Sequence, residues 1–160
     1  MKKKSSPDDH VDLDNARFDD QREIMRKIIE NNESPFLLKN LRKYHRQPIL
    51  REGEYWYITL NQWPYKNTRF HFLIISQAYW TELEQITPEA AVEFMSFVQW
   101  LIDEYQLPGG AFCMRFGDSN YSAGTVSHLH AQLIVPEIQG ENYQPTRFKI
   151  GKDAEKLELS

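Results

Sequence analysis

Residues 122–136, SAGTVSHLHAQLIVP, place His128, His130 and Gln132 at every second position, with Leu129, Ala131 and Leu133 between them. Side chains alternate faces along a strand. A strand here puts two imidazoles and an amide on one solvent-facing side and the apolar residues on the other. Ile134 and Val135 carry it on, and Pro136 ends it. Upstream, Ser122-Ala123-Gly124-Thr125 reads as a small-residue loop whose backbone N–H groups can approach an anion, with Gly124 in a tight turn. The chemistry this suggests is nucleophilic. Imidazole has a reference pKa of about 6.5, so much of it is neutral at pH 7 and able to attack phosphorus. Attack on an α-phosphorus gives a phosphoramidate and splits one hard displacement into two steps.

Two other readings of the same residues stay open. Alternating polar side chains can simply mark the wet face of a sheet, although surface strands more often use Thr, Lys or Glu there. Histidines two apart can also chelate a metal, with His71 as a third ligand. No Cys-x-x-Cys, His-x-x-x-His or acidic cluster accompanies them in the sequence.

The elements that must position this stretch are legible in outline. Ile24, Met25, Ile28 and Ile29 recur at helical spacing between Asp19 and Glu30, with Asp19 or Asp20 as the expected cap. Residues 36–51 predict only a short strand near Ile49-Leu50 and a turn at Glu52-Gly53. Residues 54–60, EYWYITL, and 70–75, FHFLII, are β-branched and aromatic and predict two strands joined by a loop at 61–67. Thr87-Pro88-Glu89 is a helix start: a capping hydroxyl, proline in the first turn, then an acid at the positive end. Phe94, Val98, Leu101 and Tyr105 then mark one helix face, ending at Pro108-Gly109. Residues 111–116, AFCMRF, predict another strand, and 147–150 an edge pairing. The expected fold class is α+β, an antiparallel sheet of about five strands with the long helix on one face, its other face left for a site.

The chain has 160 residues, which suggests one domain over about 18–150, between a polar N-terminal tail at 1–17 expected to be disordered and a polar C-terminal tail at 151–160. Nineteen Lys and Arg stand against 23 acids, a formal charge of −4, which argues against binding long nucleic acid but not a mononucleotide. Cys113 is the single cysteine, so no intrachain disulfide or cysteine-pair zinc site can form. One thiol and no secretory leader or membrane span predict a cytoplasmic protein with no membrane partner.

The stretch SHLHAQLIVP resembles the signature of the histidine-triad superfamily, His-φ-His-φ-His-φ-φ, with Gln132 in the third place. That variant is similar to the branch containing galactose-1-phosphate uridylyltransferase and diadenosine tetraphosphate phosphorylase. Asn61-Gln62-Trp63-Pro64, followed by His71-Phe72-Leu73-Ile74-Ile75, is similar to the family's Asn-x-x-Pro loop and His-x-Leu-Val-Ile strand, so the resemblance spans about residues 45–136. It implies that His130 is the nucleophile, that His128 orients the ring or contacts phosphate, and that Gln132 donates to a phosphoryl oxygen. Asn61 then contacts ribose or phosphate, with Ser122, Gly124 and Thr125 at the phosphates; Asn61 making an Asx turn is a comparable alternative. His71 reads better as a packed strand histidine. The implied activity is a nucleotidyl hydrolase or transferase acting on nucleoside (poly)phosphates, working as a homodimer. No cofactor is required, and Mg²⁺ can ride on a polyphosphate substrate. A nucleotide-binding protein without turnover is the alternative. The chain carries one such motif and no cysteine ligand set, so transfer to a hexose phosphate is not implied. Gln132 has no titrating proton, so a leaving group that needs one must take it from elsewhere.

Overall fold

The computed structural model describes residues 11, 13, 18–30 and 33–157. The expected disordered tail at 1–17 lies largely outside the described residues, as do 158–160 of the C-terminal tail; Val11 forms an isolated antiparallel bridge with Val126. In chain order the elements are α1 (Asp19–Ile29), α2 (Leu38–Tyr44), β1 (Ile49–Glu52), β2 (Trp56–Leu60) and β3 (Thr68–Ser76), then α3 (Pro88–Glu104), β4 (Ala111–Met114), the single turn α4 (Ser119–Ser122) and β5 (His130–Pro136). The strands form one five-stranded antiparallel sheet in the order β1-β2-β3-β5-β4. This is the α+β architecture the hydrophobic pattern predicts.

The period-2 pattern divides the sheet cleanly. Trp56, Ile58, Phe72, Ile74, Ala131 and Leu133 point to one face, where Phe94, Phe97, Val98 and Leu101 of α3 cover them. Thr87 caps α3 by accepting the Ala90 N–H at 3.2 Å. Glu93, one turn further on, accepts the N–H groups of Glu54, Tyr55 and Trp56 at 2.9, 2.8 and 2.9 Å. One carboxylate thus ties the helix to the turn before β2 and satisfies three backbone donors that pairing would leave over.

The opposite face carries Tyr57, Leu73 and Ile75, packed with Leu41 of α2. Helix α2 was hidden by the basic run Arg42-Lys43-Tyr44-His45-Arg46. Leu41 is its only buried residue, too little apolar periodicity to announce a helix. Three other expectations are corrected. The α1 cap is Phe18, with no side-chain cap bond, and Asp20 instead accepts from Trp63 Nε1 at 3.1 Å. Residues 147–150 pair with no strand among the described residues. The signature strand starts at His130, leaving His128 just before it.

Candidate active site

The cross-strand register builds the site on the face away from α3. Gln132 lies opposite Leu73 of β3 and Cys113 of β4, and His130 lies opposite Ile75. His130 and Gln132 therefore project to the same side, into a cavity of about 900 Å³. Its walls include Met25 of α1 and the cap residue Phe18, Phe36 before α2, the 61–67 loop, Arg115, Thr125 and the C-terminal segment. His130 is not on an open wet face, as the alternation suggested. It is 8% exposed, with Phe36 edge-on at 4.8 Å between ring centroids.

His128 does not face the cavity. It is fully buried; its Nε2 donates to the Ser76 carbonyl at 2.8 Å, and its Nδ1 receives the Ser34 hydroxyl at 2.7 Å. Ser34 Oγ accepts the Phe36 N–H at 3.2 Å, so the hydroxyl proton is left for His128. This corrects the expectation of two imidazoles side by side on a solvent-facing strand. Only the second reaches the cavity, and the first is a pinned core group behind it.

The His128 backbone carbonyl accepts His130 Nδ1–H at 2.8 Å. That bond fixes the tautomer and leaves the lone pair on His130 Nε2. Burial holds the His130 pKa down to about 4. The Arg115 charge pushes the same way, and the bond to the carbonyl opposes it. The ring is therefore neutral throughout the physiological range, as a nucleophile must be.

Gln132 is oriented by a second histidine. His71 Nδ1 accepts the Tyr65 N–H at 3.1 Å, so the ring proton sits on Nε2, which donates to Gln132 Oε1 at 2.8 Å. The Gln132 amide NH₂ is then the end left to act in the cavity. His71 is a packed strand histidine, 3% exposed, and it also positions the amide. Asn61 lines the cavity and makes the Asx turn as well, its Oδ1 accepting the Trp63 N–H at 2.8 Å.

The 122–125 loop divides. Thr125 lines the main cavity, whereas Ser122 and Gly124 line a small cleft beside it that Thr125 shares. The tight turn falls one residue earlier than expected. Ala123 is left-handed at φ 53°, and Gly124 is not.

The sequence pattern missed the cations. Arg115 donates to the Ser122 carbonyl and, at 3.3 Å, to the Tyr65 hydroxyl, and its guanidinium lies 4.1 Å from the Phe148 ring centroid. Lys66, Arg147, Lys149 and Lys156 join it around the cavity, and no Asp or Glu is among the described lining residues. Five cations in a chain of net −4 suit a ligand with several negative charges. For three of them, Arg147, Lys149 and Lys156, the available signal was the basic character of residues 147–156, which hold four Lys and Arg. Among the described residues no cluster of three His, Cys, Asp or Glu side chains is placed to hold a metal ion. No helix of the described residues is long and apolar enough to cross a membrane.

No family model and no curated protein matches the chain. Solved structures do share its fold. A HIT family hydrolase from Clostridium thermocellum superposes with a TM-score of 0.52 at 17% identity, over 66% of this chain and 93% of that one. A histidine triad nucleotide-binding protein from Candida albicans gives 0.51 at 19% identity, over 69% and 83%. A hypothetical protein from Leishmania major gives 0.53 at 17% identity, over 76% and 82%. The architecture is thus that of the histidine-triad fold. Within it this chain walls its cavity partly with α1 and the C-terminal segment.

Proposed function

We propose that this protein is a nucleotidyl hydrolase or transferase acting on nucleoside (poly)phosphates through a covalent nucleotidyl-His130 intermediate. The observation that carries the reading is the His130 ring. It is neutral, locked with Nδ1–H on the His128 carbonyl, and presents its Nε2 lone pair to a cavity rimmed by cations. In the first step that lone pair forms a bond to the α-phosphorus, and the bond to the leaving oxygen breaks with its electron pair on that oxygen. The imidazolium formed keeps its Nδ1–H on the carbonyl, which stabilises the new charge. The Gln132 amide donates to a non-bridging oxygen as charge develops there. In the second step water, phosphate or a phosphate ester displaces His130. The name of the Clostridium thermocellum neighbour, a hydrolase, and that of the Candida albicans neighbour, a nucleotide-binding protein, support the substrate class. Gln132 suits the uridylyltransferase and phosphorylase branch. The protein acts in the cytoplasm as a homodimer, without a resident metal, Mg²⁺ arriving with the polyphosphate.

The experiment is turnover and nucleotide affinity side by side for wild type and His130→Ala. Loss of nearly all turnover with affinity retained supports the mechanism. A wild type that binds nucleotide without turnover, and a variant that alters only affinity, would make this a binding protein.

A further inference from the structure

Resting on that reading, we infer that the Tyr65 hydroxyl is the group that protonates the leaving oxygen, with Arg115 holding the phenolate that results. The need is chemical. Gln132 stands where a titrating side chain would serve, and an amide has no proton to give. His71 cannot supply one through Gln132, because its Nε2–H already ends on the amide oxygen. The His45 ring also lines the cavity, but its Nε2 proton is committed to the Leu60 carbonyl at 3.0 Å and Thr59 Oγ1 at 2.9 Å. Lys149 is ion-paired with Asp153 at 2.6 Å on the exposed C-terminal segment.

Tyr65 differs from these in being held in place from three sides. Its backbone N–H is on His71 Nδ1, its ring lies against the His71 ring at 4.7 Å between centroids, and its hydroxyl accepts from Arg115 Nη2 at 3.3 Å. It lines the same cavity as His130. Contacts run from Phe36 to His130 at one end, and from Gln132 through His71 to Tyr65 and Arg115 at the other. The phenol thus links the Gln132–His71 pair to Arg115 in the wall of the cavity that His130 also lines.

A phenol serves as general acid and base alike. In the first step the Tyr65 O–H proton passes to the leaving oxygen as its bond to phosphorus breaks. The phenolate stays beside the Arg115 guanidinium. In the second step water attacks phosphorus, the P–N electron pair returns to His130 Nε2, and the proton lost by water restores Tyr65. No proton is gained or lost over the cycle.

The test compares two esters under single turnover. Adenosine 5′-(p-nitrophenyl phosphate) has a leaving group that departs as an anion; adenosine 5′-(phenyl phosphate) has one that gains from a proton. Tyr65→Phe keeps the ring on His71 and removes only the hydroxyl. The expected result, read as release of the leaving phenol in the first step alone, is a rate within about threefold of wild type on the nitrophenyl ester and a loss of about 10²-fold or more on the phenyl ester. Equal losses on both esters would assign Tyr65 a structural role, and no loss on either would leave it idle; both results overturn the inference while the His130 mechanism stands. A wild type inert to both esters would overturn that mechanism, and this assignment with it.

Discussion

His71 decides which end of Gln132 meets the substrate. Its Nε2–H donates to Gln132 Oε1 at 2.8 Å across the β3–β5 pair, which leaves the amide NH₂ for an oxyanion. Replacing Gln132 by Ala is expected to lower kcat by about 10²–10³, the cost of one oxyanion donor. His71→Phe removes the orienting bond but keeps the amide. It should cost less, about tenfold, the worth of one hydrogen bond. Steady-state kinetics on a dinucleoside polyphosphate measures both, and a larger loss in His71→Phe than in Gln132→Ala would reverse the assigned roles.

Ser34 donates to a histidine 94 positions away, inside the protein. Ser34→Ala takes the hydroxyl donor away from the buried His128 Nδ1, at a cost of about 1–3 kcal/mol. Urea denaturation should show a lower midpoint with an unchanged slope. An unshifted midpoint would mean that the bond contributes nothing to holding His128.

The pH dependence follows from the buried nucleophile. The His130 pKa is pulled down to about 4, while the unfolded chain titrates near ~6.5. Between those values the unfolded state binds more protons, so stability rises with pH across that window and is lost as pH falls from about 6.5 to 4. The single-site contribution is at most about 3 kcal/mol. The acidic limb of kcat/KM due to His130 should therefore lie near pH 4, and a limb at pH 6.5 that vanishes when another histidine is replaced would assign that limb elsewhere.

The loop before the signature offers a paired test. Ala123 sits at φ 53°, where a side chain is strained, so Ala123→Gly should raise stability by about 1 kcal/mol. A Cβ on Gly124 would meet Ser122 Oγ at 3.4 Å and nothing closer, so Gly124→Ala should fold normally. Thermal melts distinguish this from the tight turn first expected at Gly124, which predicts destabilisation by the second substitution.

Much of this frame is legible in the sequence because it is periodic. The alternation through Leu129, Ala131, Leu133 and Val135 and the 3.6-residue repeat of Phe94, Val98 and Leu101 are both read off directly, and both meet in one core. His130 and Gln132 inherit their direction from that alternation. His128 does not, because what holds it is the Ser34 hydroxyl and the Ser76 carbonyl, neither predictable from local pattern. Arg115 comes to the cavity from the end of the predicted strand at 111–116, and Lys149 and Lys156 from a segment without periodicity, so their convergence is a tertiary fact. Tyr65 was visible only as a loop residue after Pro64; its contact with His71 depends on the loop folding back on β3.

The covalent intermediate is tested most directly by mass spectrometry of the protein after rapid mixing with labelled nucleoside polyphosphates. The account predicts one nucleotidyl adduct per chain, labile in acid and stable in base as a P–N bond should be, located on the peptide holding His130 and absent in His130→Ala. Full turnover of the same substrate with no adduct trapped at any time, or with full activity in His130→Ala, would contradict it.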